Sequence, residues 1–464
     1  MTVVNPRLAL AVAAGKTAAI VSRSAGRGGG TALPGLVAER VDPDVVAHLG
    51  RQLGRGRVLV TGTNGKTTTS RVLASILTAA GIPTIHNREG SNLMRGIGSV
   101  LVGAAGPMGA IAGAETMLGL FETDEATLPG ATLALAPRAI AFTNLFRDQL
   151  DRYGEVDTVA ALWRETLAAA PRNATLVLNA DDPSVAELAI GWDGPIHWFG
   201  IDDEACATEQ AGAFDARWCR ACGGTFAYDR RYFAHLGYWR CTRCERKRPA
   251  ADTAATNLRL SLDEAAFQVA GLGEMTMPLT GFYNVSNAMA AIAMARVLDI
   301  PAAAILAGVA AAQAAFGRQE VVELEGRRLR LLLAKNPAGA NQVLRLLGSL
   351  GTDLQVGVLL SDRFADGRDV SWVWDVDFEP LAAQVGACWA GGTRAADMAL
   401  RLKYAGWPEP RAVVRPARDF VDVVLAGSRP GSDVFLIPTY TSLLDLRAEL
   451  ERRGAVNPFW RREA

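Results

Sequence analysis

Val58-Leu-Val-Thr-Gly-Thr-Asn-Gly-Lys-Thr-Thr-Thr-Ser70 is the stretch whose reading decides the fold. Val58, Leu59 and Val60 favour a β-strand and run into Thr61-Gly-Thr-Asn-Gly-Lys-Thr67. A helical pattern follows through Ser70, Val72, Leu73, Ile76 and Leu77, stopped by Gly81 and Pro83. Strand, glycine loop, Lys-Thr and helix make the layout of a nucleoside triphosphate site. Gly62 and Gly65 carry no Cβ, so backbone N–H groups can approach phosphate oxygens. Lys66 is suited to the outer phosphates, and the Thr67 hydroxyl to Mg²⁺. With Thr63, Asn64 and Thr68, these residues form the expected ATP-binding set. The spacing is shorter than the commonest phosphate loop, because Val60 stands where that loop has its first glycine.

A chain of 464 residues exceeds one hydrophobic core, so two or three domains are expected. Half of the residues are hydrophobic and 21% are charged, as in ordinary globular proteins. Lys+Arg and Asp+Glu both number 48, which gives no support to nucleic acid or an anionic membrane as a general partner. The uncharged window Gly96 to Ala114 holds six glycines and Pro107, so no transmembrane segment is expected there. No secretory signal is evident. Four of the six cysteines fall in paired C-x-x-C spacing, which points to metal in a reducing compartment. A cytoplasmic location is therefore expected.

Residues 1–55 read as a helical N-terminal segment, with helices from Pro6 to about Ser22 and from Pro43 to Gly54. Residues 56 to about 315 read as a central ATP-binding domain, in which strands and helices alternate from residue 58 to about 200. Candidate strands are Val58–Thr61, Thr84–His86, Leu118–Glu122, Ala139–Thr143 and Ala174–Asn179. Such alternation predicts an α/β fold with a doubly wound, largely parallel sheet. Acidic runs follow three of these strands: Glu122 to Glu125, Asp148 to Asp151, and Asp181-Asp182. Strand C-termini are where ligands gather in this architecture. Each carboxylate also suits a helix N-cap; three after one phosphate loop favour a functional set.

An insertion at about 205–255 carries Cys219-x-x-Cys222, eighteen residues, then Cys241-x-x-Cys244. This spacing predicts a four-cysteine zinc ribbon whose Zn²⁺ is structural. Its basic residues read as a solvated face, and His235 is not expected to be a ligand. Residues 316–464 alternate again, with a hairpin at Glu325-Gly326, and predict a smaller C-terminal α/β domain.

Several motifs together resemble one family. The loop Thr61–Thr67, Glu122, Asn144 with Asp148, Asn179 to Asp182, Gly281-x-x-Asn284-x-x-Asn287 and Gly317-Arg318-x-Glu320 stand in the order of the Mur ligase superfamily. Such ligases join a carboxylate to an amine with ATP through an acyl phosphate. The resemblance implies Thr67 and Glu122 toward Mg²⁺, Asn284 and Asn287 near the nucleotide, and Arg318 reaching ATP from the C-terminal domain. It also shows departures. The residues before the loop leave no space for a UDP-sugar domain, Gln149 replaces the family's histidine after Asp148, no lysine occurs between Tyr153 and Asn179, and Tyr283 replaces a histidine.

The cysteine ribbon, Phe146 to Gly154, Ala334 to Gly339 and Asp366 to Asp375 resemble one branch, the synthetase subunits of lipid II isoglutaminyl synthase. That branch implies amidation of the D-glutamate α-carboxylate in the lipid II stem peptide, at the inner face of the plasma membrane. It implies ammonia from a glutaminase subunit, GatD, in a heterodimer. Lys335 is then the candidate substrate-side cation and Asn336 an orienting amide. Asp366, Asp369 and Asp375 are the candidates for the aspartate that completes the partner's catalytic pair, with Asp375 preferred for its neighbours Trp372 and Trp374. The chain's other thiols, Cys206 and Cys388, and its four histidines show no nucleophile elbow, so glutamine hydrolysis is not expected here. The rival expectation is an amino-acid-adding relative of folylpolyglutamate or cyanophycin synthetase type.

Overall fold

The computed structural model describes residues 5–24, 32–87, 91–147, 156–208, 215–313 and 318–456, and the side chain of Arg318 is not among what it describes. Asp148, Gln149, Tyr153, Gly154 and Gly317 lie outside the described residues.

The first sheet is built from β1 (Arg57–Thr61), β2 (Thr84–His86), β3 (Leu118–Glu122), β4 (Ala139–Phe142), β5 (Thr175–Asn179) and β6 (Ile196–Ile201). After a separate hairpin of β7 (Phe226–Phe233) and β8 (Leu236–Cys241), the chain returns with β9 (Thr253–Leu260), β10 (Ala265–Val269) and β11 (Gly273–Met277). Spatial order is β11-β10-β9-β6-β5-β4-β1-β3-β2. Every pairing from β2 to β9 is parallel, and β10 and β11 add an antiparallel edge.

Side-chain alternation explains why both faces are covered. Val58, Val60, Leu120, Ala141 and Val177 enter one core, while Leu59, Phe121, Ile140, Phe142 and Leu178 enter the other. Helices Lys66–Ala79, Phe282–Val297 and Ala302–Ala310 supply the first core. Pro6–Ser24, Val45–Gly50, Met94–Ala104 and Val156–Ala169 supply the second. Strands buried on both faces suit a parallel sheet.

One local expectation is corrected. The helix expected over Pro43–Gly54 occupies only Val45–Gly50, where the apolar residues actually meet the core. A further helix, Leu33–Val41, precedes it, opened by Pro34 in its first turn.

The second sheet comprises β12 (Arg318–Leu324), β13 (Arg327–Leu332), β14 (Leu354–Leu359), β15 (Val385–Gly391), β16 (Val413–Val414) and β17 (Asp433–Pro438). Its order is β12-β13-β17-β14-β15-β16, and all pairings except β12–β13 are parallel. Glu325 and Gly326 turn that hairpin with φ of 47° and 74°, as a two-residue primed turn requires. Among the described residues, no helix is long and apolar enough to cross a membrane.

Candidate active site

The phosphate loop joins β1 to the helix Lys66–Ala79. Gly65 caps that helix with φ of 86° and no side-chain cap, which leaves first-turn N–H groups directed toward an anion. A Cβ at Gly65 would stand 2.0 Å from Asn287 Oδ1, and one at Gly62 would stand 2.1 Å from Thr143 Oγ1. Both positions therefore need glycine for φ and for space.

The loop is held from three sides. Asn64 N donates to Asn144 Oδ1 at 2.9 Å, and Asn144 Nδ2 donates to Asn64 O at 3.0 Å. Phe146 N donates to Thr63 Oγ1 at 3.0 Å, which donates to Phe146 O at 3.1 Å. From the second sheet's side, Asn336 Nδ2 donates to Asn64 Oδ1 at 3.1 Å. Asn336 also caps the helix Pro337–Gly348, accepting from Gly339 N at 2.8 Å.

Lys66 is buried, and Nζ donates to Glu125 Oε2 at 3.0 Å and to the carbonyl of Gly62. Thr67 Oγ1 donates to Glu122 Oε1 at 3.0 Å, so hydroxyl and carboxylate, both oxygen donors suited to Mg²⁺, share one point. The sequence reading placed Glu122 here but missed Glu125 as the countercharge of Lys66, although both belong to one acidic run.

Asn284 and Asn287 lie in the first two turns of the helix Phe282–Val297. Thr69 Oγ1 donates to Asn287 O at 3.3 Å. Asn284 Nδ2 donates to Thr280 O at 2.8 Å and to Gln319 Oε1 at 3.1 Å. Gln319 was not foreseen. It has φ of 62° and also donates to Thr280 O and Tyr283 Oη, at 2.6 and 2.8 Å. It ties the start of the second sheet to the start of the helix Phe282–Val297, at the position the motif leaves unspecified. The Arg318 backbone begins β12, and Glu320 accepts from Arg447.

A cleft of about 840 Å³ opens between the two sheets. Asn64, Gly65, Thr68 and Asn287 line one side, Leu332, Lys335 and Gln342 another, and Phe146, Phe233, Leu236 and Tyr283 complete it. The structure thus brings Lys335 to the loop's cleft. It does not bring Asp375 there. Asp375 ends the turn Ser371–Asp375 and is half-exposed, with Oδ2 3.6 Å from Arg147 Nη1. Trp374 is 51% exposed and Trp372 partly buried. Asp366 is buried, accepting from Thr441 N at 2.9 Å, and burial raises its pKa. Asp369 is exposed, and its bond from Ser371 lowers its pKa. Exposure leaves Asp369 and Asp375 able to meet a partner.

The functional expectation for Asp181 and Asp182 is corrected. Asp182 caps the turn at Pro183, accepting from Ser184 N at 2.8 Å, and holds Leu145 N at 2.8 Å. Asp181 pairs with Arg248 at 2.7 Å, while burial pushes its carboxyl pKa up. Capping and pairing therefore occupy both carboxylates.

Cys219, Cys222, Cys241 and Cys244 place their sulfurs within 4.8 Å of one another. The Cys219–Cys244 and Cys222–Cys241 separations are 3.8 and 3.4 Å. Sulfurs about 2.3 Å from a tetrahedral Zn²⁺ stand roughly 3.8 Å apart, so this set fits that ion. Gly224 N and Arg243 N each donate to a cysteine sulfur at 3.4 Å, which suits thiolates. Four of the nearby arginines are paired: Arg230 with Glu204, Arg240 with Asp229, Arg246 with Glu187 and Arg248 with Asp181.

Comparison with known proteins agrees with this geometry. Residues 60–217 match the Mur ligase middle domain, and residues 333–443 match the MurT ligase C-terminal family. The chain is 35% identical over 440 residues to the MurT subunit of lipid II isoglutaminyl synthase (glutamine-hydrolyzing) from Staphylococcus aureus strain N315, covering 94% of this chain and 96% of that one. The same subunit from Streptococcus pneumoniae R6 is 32% identical over 455 residues, covering 97% and 99%. In structure, a pseudomurein peptide ligase type C from Methanothermus fervidus aligns with TM-score 0.65 at 19% identity, over 86% of this chain and 79% of that one. Two sheets, a Mur-type phosphate loop and near full-length identity to MurT subunits lead to one conclusion: the chain belongs to the MurT family of Mur ligases and is an ATP-dependent ligase.

Proposed function

We propose that this chain is the synthetase subunit that amidates the D-glutamate α-carboxylate of the lipid II stem peptide, giving D-isoglutamine. The observation that carries the reading is the inter-domain cleft, which holds Gly65 and Thr68 on one wall and Lys335 on the other. The full-length relatives named for that reaction support it.

ATP lies along Gly62 to Thr68, with N–H groups of the helix start and Lys66 on its phosphates. Lys66 exchanges Glu125 for the phosphates on binding. Thr67 and Glu122 would hold Mg²⁺, which would supply charge neutralisation on the phosphates. Asn284 and Asn287 sit beside the nucleotide. Lys335 steadies the glutamate carboxylate, and Asn336 orients it while bracing Asn64. A carboxylate oxygen attacks the γ-phosphorus and ADP leaves. Ammonia nitrogen then attacks the carbonyl carbon, inorganic phosphate leaves, and the nitrogen loses a proton. The protein's share is proximity and electrostatic preorganisation.

Ammonia comes from a glutaminase partner, GatD, in a heterodimer. Asp375, exposed beside Trp374, completes the partner's catalytic pair. A structural Zn²⁺ on the four cysteines makes the insertion a zinc ribbon. The enzyme works in the cytoplasm on the membrane's inner face. Co-purification with a glutaminase, followed by mass analysis of lipid II incubated with glutamine and Mg·ATP, tests the reading. A one-amide product is expected; no partner and no amide would discard it.

A further inference from the structure

The β7–β8 hairpin has its two ends in different worlds. At one end sit the four cysteines. Its tip, Phe233-Ala234-His235-Leu236, is buried, with His235 0% exposed. Hairpin tips ordinarily face solvent. This one pushes into the base of the nucleotide cleft, where Phe233 and Leu236 form part of the wall.

The His235 ring packs on Phe146 with centroids 4.5 Å apart, and Phe233 adds a second ring at 6.1 Å. Phe146 is the residue whose N–H and carbonyl both bond Thr63 Oγ1 in the phosphate loop. On its other side, His235 Nε2 lies 3.4 Å from Asp182 Oδ2, the carboxylate oxygen that holds Leu145 N. His235 therefore packs directly behind Phe146 and lies near the carboxylate that holds Leu145, without a hydrogen bond from either ring nitrogen. The hairpin's flanks are fixed as well: Gly237 N donates to Asp181 O at 2.9 Å and Trp239 Nε1 to Ala180 O at 3.0 Å. Arg345, from the helix Pro337–Gly348, donates to Tyr232 O, just before the tip.

We propose that the cysteine-ended hairpin is the positioning device of the nucleotide site, with His235 passing the state of the cysteine cluster through Phe146 to Thr63. A two-stranded hairpin is marginal by itself. Metal at its cysteine end fixes the strand pair, and the fixed pair holds the tip against Phe146. Binding at the two sites is then thermodynamically coupled, and the coupling is reciprocal. His235 is a positioning residue and touches no reacting atom. The proposal rests on ATP at the loop and zinc at the cysteines, but not on the identity of the amidated substrate.

The test uses the full chain and a non-hydrolysable ATP analogue with Mg²⁺. Calorimetry gives analogue affinity for zinc-loaded protein, chelated protein, His235→Ala and His235→Phe. Zinc content comes from atomic absorption, and zinc affinity from competition with a chromogenic chelator. Chelated protein and zinc-loaded His235→Ala are each expected to bind the analogue about tenfold more weakly than zinc-loaded wild type. His235→Phe keeps the ring packing and regains most of that loss. Saturating analogue raises the wild type's zinc affinity by the same factor and leaves that of His235→Ala unchanged. A purely structural residue would lower stability without removing this reciprocity. Equal analogue affinity in loaded and chelated wild type, or zinc affinity indifferent to the analogue, overturns the proposal. If His235→Ala does not fold, the two wild-type measurements decide alone.

Discussion

Glu125→Ala removes the countercharge of a lysine that reaches almost no solvent. The two side chains are 8% and 6% exposed, and Nζ stands 3.0 Å from Oε2. At that distance and an effective dielectric of about 20, the attraction is about 5.5 kcal/mol. Some of this returns as Lys66 settles on the carbonyls of Gly62 and Thr63, already its acceptors. Breaking a buried pair from one side costs about 3–5 kcal/mol, whereas a surface pair would cost at most about 1 kcal/mol. The expected loss is therefore near 3 kcal/mol, read by urea or guanidinium unfolding of the nucleotide-free chain. Nucleotide sharpens the test. Wild type gains about 2.7 kcal/mol from ligand at a hundred times Kd. The variant should gain more at the same concentration, because the phosphates restore the missing negative charge. A variant within about 0.5 kcal/mol of wild type, or an equal gain from nucleotide, would show that Glu125 is not the resting partner of Lys66.

Lys66→Ala should lose stability as well, because it breaks the same buried pair from the other side, and should lose at least about a hundredfold in substrate-dependent phosphate release, since the cation serves the transferred phosphate. Gly65→Ala should lose about 2–3 kcal/mol, from the left-handed φ and the displaced Asn287 amide, and Gly65→Ala/Asn287→Ala should lose less than the sum of its parts. Strict additivity in the unfolding cycle would refute that contact. Burial pushes the Cys206 and Cys388 thiols up to about 11. Their alkylation, followed by peptide mass spectrometry from about pH 7 to about pH 10, should stay slow and climb through the whole range as thiolate forms, where an ordinary thiol would level off near 9. Asp375→Asn should leave ammonia-driven amidation intact and remove the glutamine-driven reaction; equal loss of both would place Asp375 in folding or in this chain's own chemistry.

Much of this protein is written in short-range pattern. Val58 to Thr67 specifies strand, turn and helix start, because alternation, two glycines and Lys-Thr all act within a few residues. The candidate strands before residue 200 lie within a residue of their observed bounds for the same reason. Paired cysteine spacing likewise announced a cluster whose sulfurs do converge.

What tertiary structure decided are the partners of charged and polar groups. An acidic residue at a strand end can cap, pair or ligate, and local sequence does not distinguish these. Asp182 became a cap because Pro183 opens a turn beside it, while Glu122 met Thr67 because β3 lies next to β1. Gln319 carries no signal at all, since its use depends on how the second sheet docks on Thr280 and Tyr283. The phosphate loop was therefore legible from residues 58–70 alone. Its bracing by Asn336, Glu125 and the His235–Phe146 contact was not, because each joins segments that only folding brings within bonding distance.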